Sequence, residues 1–346
     1  MAHLRWHTAG ESHGPELVAW IEGCPAGVPL LASQVDEELA RRQKGYGRGG
    51  RMKIETDRCR LVAGVRGGET LGSPIALLIE NRDFASWTGR MGAEPFASPP
   101  EALTRARPGH ADLAGGLKYA RKDLRDILER ASARETAARV GASVVARRLL
   151  EEVGIRVAAH VVSIGEIAIS RRALSFDELR TAARASDLAS IDPDAELAWR
   201  DAIHAASHAG DTLGGVVEVV TDGVPPGLGS HVTWDRKLDG RLAQALMSVP
   251  VLIRLRFSKM GFTQAPLYPL TLSIFKVFIT KILLLNPTCG DAKPIPFFNS
   301  INSNILTHCF FISVVTLVTG RHFCSKISLG ARISSTRFFL NFEISV

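Results

Sequence analysis

The chain reads as an α+β protein, and three observations predict it. Strands and helices follow one another in mixed order, without the regular alternation of a doubly wound sheet. Helical periodicity runs through residues 118–152, at Leu124, Ile127, Leu128, Ala131, Val140, Val144, Val145 and Leu149. A period-two run occupies residues 215–222, the mark of a half-buried strand.

Taken in order, residues 17–21 read as a short strand after a polar loop. A helix is expected from Ser33 to Lys44. Asp36, Glu37 and Glu38 lie in its first turns, where carboxylates suit the helix dipole, and Gly45 stops it. Residues 54–55, 61–66 and 75–79 read as strands. Residues 81–112 carry Pro95, Pro99, Pro100 and Pro108 without periodicity, which predicts a functional loop or lid. The helical run at 118–152 offers a break at Ser132 or Gly141. Residues 157–169 are strand-like, and Ser-Phe-Asp-Glu at 175–178 is a capping box that opens a helix. Helices at 196–208 and 235–247 flank the strand at 215–222 and a turn at 225–229.

The 346 residues, 46% of them hydrophobic, suffice for one large domain or two ordinary ones. The net charge of +7 hides a break: residues 1–250 hold 32 Lys+Arg against 33 Asp+Glu, residues 251–346 hold 10 against 2. Twelve of the 15 Phe lie after residue 250, where Ala occurs only three times. The break predicts a region 1–250 and a hydrophobic, basic tail 251–346 of different origin, such as a frameshift or retained intron. The competing reading is a genuine hydrophobic domain.

Cys24, Cys59, Cys289, Cys309 and Cys324 form no Cys-x-x-Cys pair, and only Cys324 has a histidine at zinc-ligand spacing, His322. Neither a metal site nor a disulfide framework is expected, which fits a reduced, cytoplasmic setting. Residues 1–7, Met-Ala-His-Leu-Arg-Trp-His, carry no apolar h-region, so no secretory signal is expected. Lys276 and Lys281 interrupt one apolar stretch of the tail, and the other, 305–318, is shorter than the roughly 20 residues of a membrane span, so no membrane role is expected. Neither a P-loop nor a dinucleotide-binding glycine motif is present.

Four polar clusters could carry chemistry. Gly-Glu-Ser-His-Gly at 10–14 sets His13 in a polar loop, where it can donate a proton near neutral pH. Arg42, Arg48 and Arg51 stand in a glycine-rich stretch whose guanidinium forks suit phosphate and carboxylate. Arg107 and His110 flank Pro108. Arg130, Ser132 and Arg134 lie in the long helical run, where a break would free backbone N–H groups for an anion. Each cluster also reads as an ordinary solvated segment. The Arg-Gly-Gly stretch further reads as a single-stranded RNA binder, but residues 1–250 lack the basic footprint that nucleic-acid binding needs. The inventory of histidines and arginines fits acid-assisted departure of phosphate from a small anionic substrate.

These motifs, with Arg-Arg-Gln-Lys-Gly-Tyr-Gly-Arg at 41–48, Arg-Pro-Gly-His-Ala-Asp at 107–112, Arg-Ala-Ser-Ala-Arg-Glu-Thr-Ala at 130–137 and Leu-Ala-Gln-Ala-Leu-Met-Ser-Val-Pro at 242–250, resemble the chorismate synthase family over residues 3–250. The resemblance implies a β-α-β sandwich of antiparallel sheets on central helices, and a homotetramer. It implies a shikimate-pathway lyase that converts 5-enolpyruvylshikimate-3-phosphate to chorismate with reduced FMN, and NADPH in some members. It implies His13 and His110 as catalytic. Substrate binders would be Arg42, Arg48, Arg51, Arg107, Ser132 and Arg134. Flavin contacts would come from His110, Arg130, Ala131, Ser132 and Ala133, with Arg42 and Arg48 linked to NADPH. After Pro250 the family's glycine-rich flavin-binding half has no counterpart, so the second half of the fold is expected to be incomplete and the chain's own activity stands as a separate question. A non-catalytic remnant that binds anions or intact subunits is the alternative.

Overall fold

Apolar alternation in Glu16–Glu22 and Ile75–Glu80 makes two adjacent strands, with Leu17, Ala19, Ile21, Ile75, Leu77 and Ile79 buried on one face. The computed structural model describes residues 4–46, 55–170, 173–225 and 227–249, and the backbone of three strands beyond them. Arg48, Arg51 and most of 251–346 therefore lie outside the described residues. The described residues divide into two units, Leu4–Arg148 and those from Leu149 on.

The first unit holds β1 (Arg5–Ala9), β2 (Glu16–Glu22), β3 (Ala26–Pro29), α1 (Ala32–Gln43), β4 (Cys59–Ala63), β5 (Val65–Arg66), β6 (Glu69–Leu71) and β7 (Ile75–Glu80). It continues with α2 (Thr88–Met91), α3 (Asp112–Lys118), α4 (Arg125–Leu128) and the start of α5 (Thr136–Glu152). One antiparallel sheet runs β1-β2-β7-β4 and a smaller one β3-β6-β5. Helix α5 packs on the larger sheet: a Cβ at Gly141 would come within 3.0 Å of the Leu77 side chain and 3.6 Å of Val35 on α1.

The strand expected at 61–66 is two strands in different sheets. The chain turns at Gly64, whose φ of +80° few L side chains adopt. The helical run at 118–152 is likewise in pieces. Ala120 at φ +51° ends the first, and a 3-10 turn at Ala133–Glu135, capped by Ser132, precedes α5. The break falls at Ser132, and Gly141 continues in helix. The stretch 81–112 is mostly irregular, but it holds a 3-10 turn at Arg82–Ser86 and the short α2.

The second unit holds β8 (Arg156–Ile164), β9 (Ile167–Ala168), α6 (Phe176–Ala185), α7 (Pro193–His208), β10 (Gly215–Asp222), α8 (Leu238–Met247), β11 (Leu252–Phe257), β12 (Arg332–Ser334) and β13 (Arg337–Ile344). Its antiparallel sheet runs β11-β13-β10-β8-β9, with β12 on β13. Residues 157–169, expected as one strand, fold back at Gly165 into β8 and β9. The capping box at Ser175 is formed: its hydroxyl accepts from the Glu178 N–H at 3.3 Å, and Glu178 accepts from the Ser175 N–H at 2.7 Å. Trp199 of α7 is fully buried and donates its indole N–H to Ile167 O at 2.8 Å. The α+β class read from the sequence is the class observed.

Candidate active site

The loop between β1 and β2 carries His13, and the fold holds that loop from several directions. Gly10 lies at φ +99°, and a Cβ there would come within 2.9 Å of Leu17 Cα. Asn81, at the end of β7, donates its amide to Glu11 O at 3.1 Å and Gly14 O at 2.8 Å. The Ser12 N–H donates to Glu129 O at 3.0 Å, and the Ser132 hydroxyl to Ser12 Oγ at 3.1 Å. These bonds join segments some 70 to 120 residues apart in sequence.

His13 meets the buried carboxylate of Glu129. Oε2 accepts the His13 backbone N–H at 2.9 Å and lies 2.7 Å from Nδ1. The Trp87 ring stacks on the imidazole at 4.1 Å between centroids. Nε2 is turned toward Asp83, 3.6 Å away. The guanidiniums of Arg90 and Arg125 lie over the same indole at 5.6 and 5.5 Å. Arg130 anchors the loop's start, donating to Thr8 O at 2.8 Å and Gly10 O at 3.3 Å. Ala131 beside it lines an open cleft of about 500 Å³ with Tyr119, Arg121, Asp126, Ile127 and Arg130.

Arg42 and Arg134 turn inward. Arg134 binds Asp57 through Nη1 at 2.7 and 2.8 Å and donates its Nε–H to Asn81 at 2.8 Å. Arg42 donates to Thr136 at 2.9 Å and Ala133 O at 3.3 Å, and lies 3.6 Å from Asp57. All three charged residues are buried, with Arg134 committed to Asp57 and Arg42 to Thr136 and Ala133.

Arg107 and His110 form a separate group around Asp112, which is fully buried at the start of α3. Asp112 accepts from the Arg107 Nε–H at 3.0 Å and meets His110 Nδ1 in a short contact. The Arg107 guanidinium beside it, with His110, holds its carboxyl down at about 2. Arg107 itself stays half-exposed. Among the described residues, the side chains of Arg107 and His110 bond to each other and to Asp112.

The structure thus brings His13, Arg130, Ser132, Arg134, Ala133 and Arg42 into one bonded assembly, and pairs Arg107 with His110 apart from it. Glu129, Asp57, Asn81, Trp87 and Asp112 escaped the sequence reading. Asp112 had a signal, two residues past His110. Glu129 and Asp57 had none, since their partners stand 116 and 77 residues away.

A family model described as "Chorismate synthase" matches residues 4–265. The chain is 58% identical over 251 residues to the chorismate synthase of Moorella thermoacetica, covering 72% of this chain and 64% of that one. It is 56% identical over 247 residues to that of Pelobacter propionicus, covering 71% and 63%. It is 54% identical over 252 residues to chorismate synthase 1 of Bacillus thuringiensis, covering 71% and 65%. The match therefore spans a little under two thirds of these relatives' length. A crystal structure of a chorismate synthase superposes with a TM-score of 0.61 at 40% identity, covering 73% of this chain and 68% of that one. With a family match across most of its length and relatives above 50% identity, this chain belongs to the chorismate synthase family.

Proposed function

We propose that the chain is a lyase that removes phosphate from 5-enolpyruvylshikimate-3-phosphate by 1,4-anti-elimination to give chorismate. The observation that carries this is His13, an imidazole clasped by a buried carboxylate and packed on Trp87, in a loop fixed by Ser12, Ser132 and Arg130. Such an imidazole supplies a proton to a departing phosphate oxygen. The substrate carries one phosphate and two carboxylates, so it needs several cations. Half-exposed Arg107 is suited to that role, together with Arg48 and Arg51. Arg42 and Arg134 serve first to hold Asp57 in place.

The residues fit a flavin. The cleft beside Arg130 and Ala131 falls in the size range of cofactor pockets, roughly 300–1,000 Å³, and offers an aromatic wall at Tyr119, the Arg130 guanidinium and an Arg121–Asp126 ion pair. Arg130, Ala131, Ser132 and Ala133 would hold reduced FMN, and His110, bonded to Arg107 and Asp112 in a group of its own, would contact it from outside that cleft. When bound, that group would supply electron density to the substrate as phosphate leaves. NADPH use through Arg42 and Arg48, a homotetramer and a cytoplasmic setting complete the reading. The free, buried thiols of Cys24 and Cys59 suit a reducing compartment. Among the described residues, no helix is long and apolar enough to cross a membrane.

Anaerobic assay of the purified chain with reduced FMN, following chorismate formation, tests the proposal. Turnover supports it, and absence of product at saturating flavin overturns it for this chain. A second reading, a non-catalytic relative that binds anions or intact subunits, is favoured by the composition break at residue 250 together with the partial coverage of the relatives. It predicts substrate binding without product.

A further inference from the structure

Glu129 is about 1% exposed, and its carboxylate directs its hydrogen bonding at one residue, His13. Its Oε2 accepts the His13 backbone N–H at 2.9 Å and stands 2.7 Å from Nδ1 of the same residue. Its Oε1 is buried and meets no hydrogen-bond partner among the described residues. A buried carboxylate with one oxygen unsatisfied is costly. It persists where the other oxygen makes strong, charge-assisted bonds, and here those bonds go to His13. Trp87, stacked at 4.1 Å, fixes the plane of the ring, and Asn81 and Ser132 fix the loop beneath it. On the opposite edge of the ring, Asp83 Oδ2 stands 3.6 Å from Nε2, beyond normal hydrogen-bond range. The bond at one ring nitrogen determines which nitrogen carries the proton of a neutral imidazole.

We propose that Glu129 is the positioning residue of the site: it fixes neutral His13 as the Nδ1–H tautomer, so that Nε2 is the nitrogen that gives up the proton. The role in turnover rests on the lyase reading above. In that step, the His13 imidazolium passes its Nε2 proton to the departing phosphate oxygen. The C–O bond breaks with its electron pair on that oxygen. The pair of the broken ring C–H bond completes the diene, and that second proton leaves to a base other than His13. His13 is left neutral with its remaining proton on Nδ1, the form that Glu129 Oε2 accepts from. The carboxylate therefore accepts from the tautomer the acid must leave behind.

The test is nitrogen NMR on the full chain labelled with 15N-histidine, at a pH where the ring is neutral, with the His13→Asn spectrum assigning the signals. Wild type should show the proton on Nδ1. Glu129→Ala should move it to Nε2, whereas Glu129→Gln, whose amide oxygen can accept the same bonds, should keep it on Nδ1. If Glu129→Ala does not fold, Glu129→Asp, which withdraws the carboxylate by one methylene, should give a mixture. Asp83→Asn should leave the tautomer unchanged. A wild-type ring protonated at Nε2, or an unchanged tautomer in Glu129→Ala, overturns the proposal whatever the turnover. An Nδ1–H ring in a chain that makes no chorismate leaves the positioning role standing and removes the lyase reading. Where the chain turns over, Glu129→Ala should lower kcat at least 10-fold with little change in KM.

Discussion

Arg134 grips Asp57 with one nitrogen on both carboxylate oxygens, at 2.7 and 2.8 Å, across 77 residues of sequence and with both side chains buried. Removing one partner leaves an uncompensated interior charge. Asp57→Ala should therefore destabilise the first unit by about 3–5 kcal/mol, read from the midpoint of denaturant unfolding. A loss under about 1 kcal/mol would mean that the pair is solvated in solution.

His13 is the one imidazole bonded to a buried glutamate and stacked on a tryptophan among the described residues. His13→Ala should lower kcat by about 100- to 10,000-fold, the usual contribution of a general acid, with the circular dichroism spectrum unchanged. Activity within about threefold of wild type would assign the proton to another group.

Asp112 links acid stability to the second histidine group. Its carboxyl is held at about 2, below the ordinary 3.8, chiefly by the Arg107 hydrogen bond. A lowered folded pKa adds stability that is present above the unfolded value and disappears as pH falls through the folded one. Stability should therefore decline between about pH 4 and pH 2 as Asp112 takes up its proton. Asp112→Asn should flatten that decline, measured as melting temperature against pH. An identical slope in the variant would sink the assignment.

The turn that launches the His13 loop depends on a residue without a side chain. Gly10→Ala places a Cβ against the backbone at Glu16 and Leu17 from a φ of +99°. The expected cost is about 1–3 kcal/mol, together with looser stacking of His13 on Trp87, visible as a change in indole fluorescence. An unchanged melting temperature would show that the loop re-forms without this conformation.

What the sequence disclosed follows from the range of the forces involved. The strand at Gly215–Asp222 and the helix opened by Ser175 were legible to the residue, because alternation and a capping box are local. The run at 118–152 kept its apolar period while the backbone broke at Ala120 and Ser132, since side-chain spacing does not register a single left-handed residue. β1 went unread because its side chains alternate only between exposed and half-exposed. At the site, motif histidines and arginines stood out by type. Their partners did not: Glu129 and Asp57 look like ordinary surface acids until folding carries them over a hundred residues, or nearly eighty, to their bases. The burial of Arg42 and Arg134 was invisible for the same reason.

In the second unit, β10 is flanked by β8 on one side and β13 on the other, and β13 begins 115 residues after β10 ends. At ribosomal speeds of roughly 5–20 residues per second, that edge waits on the order of 10 s for its neighbour. During synthesis, Val216, Val217, Val219 and Val220 thus present a nascent template to any passing extended segment. Chaperone dependence in the cell, and aggregation on rapid refolding, are the natural outcome of so late a closure.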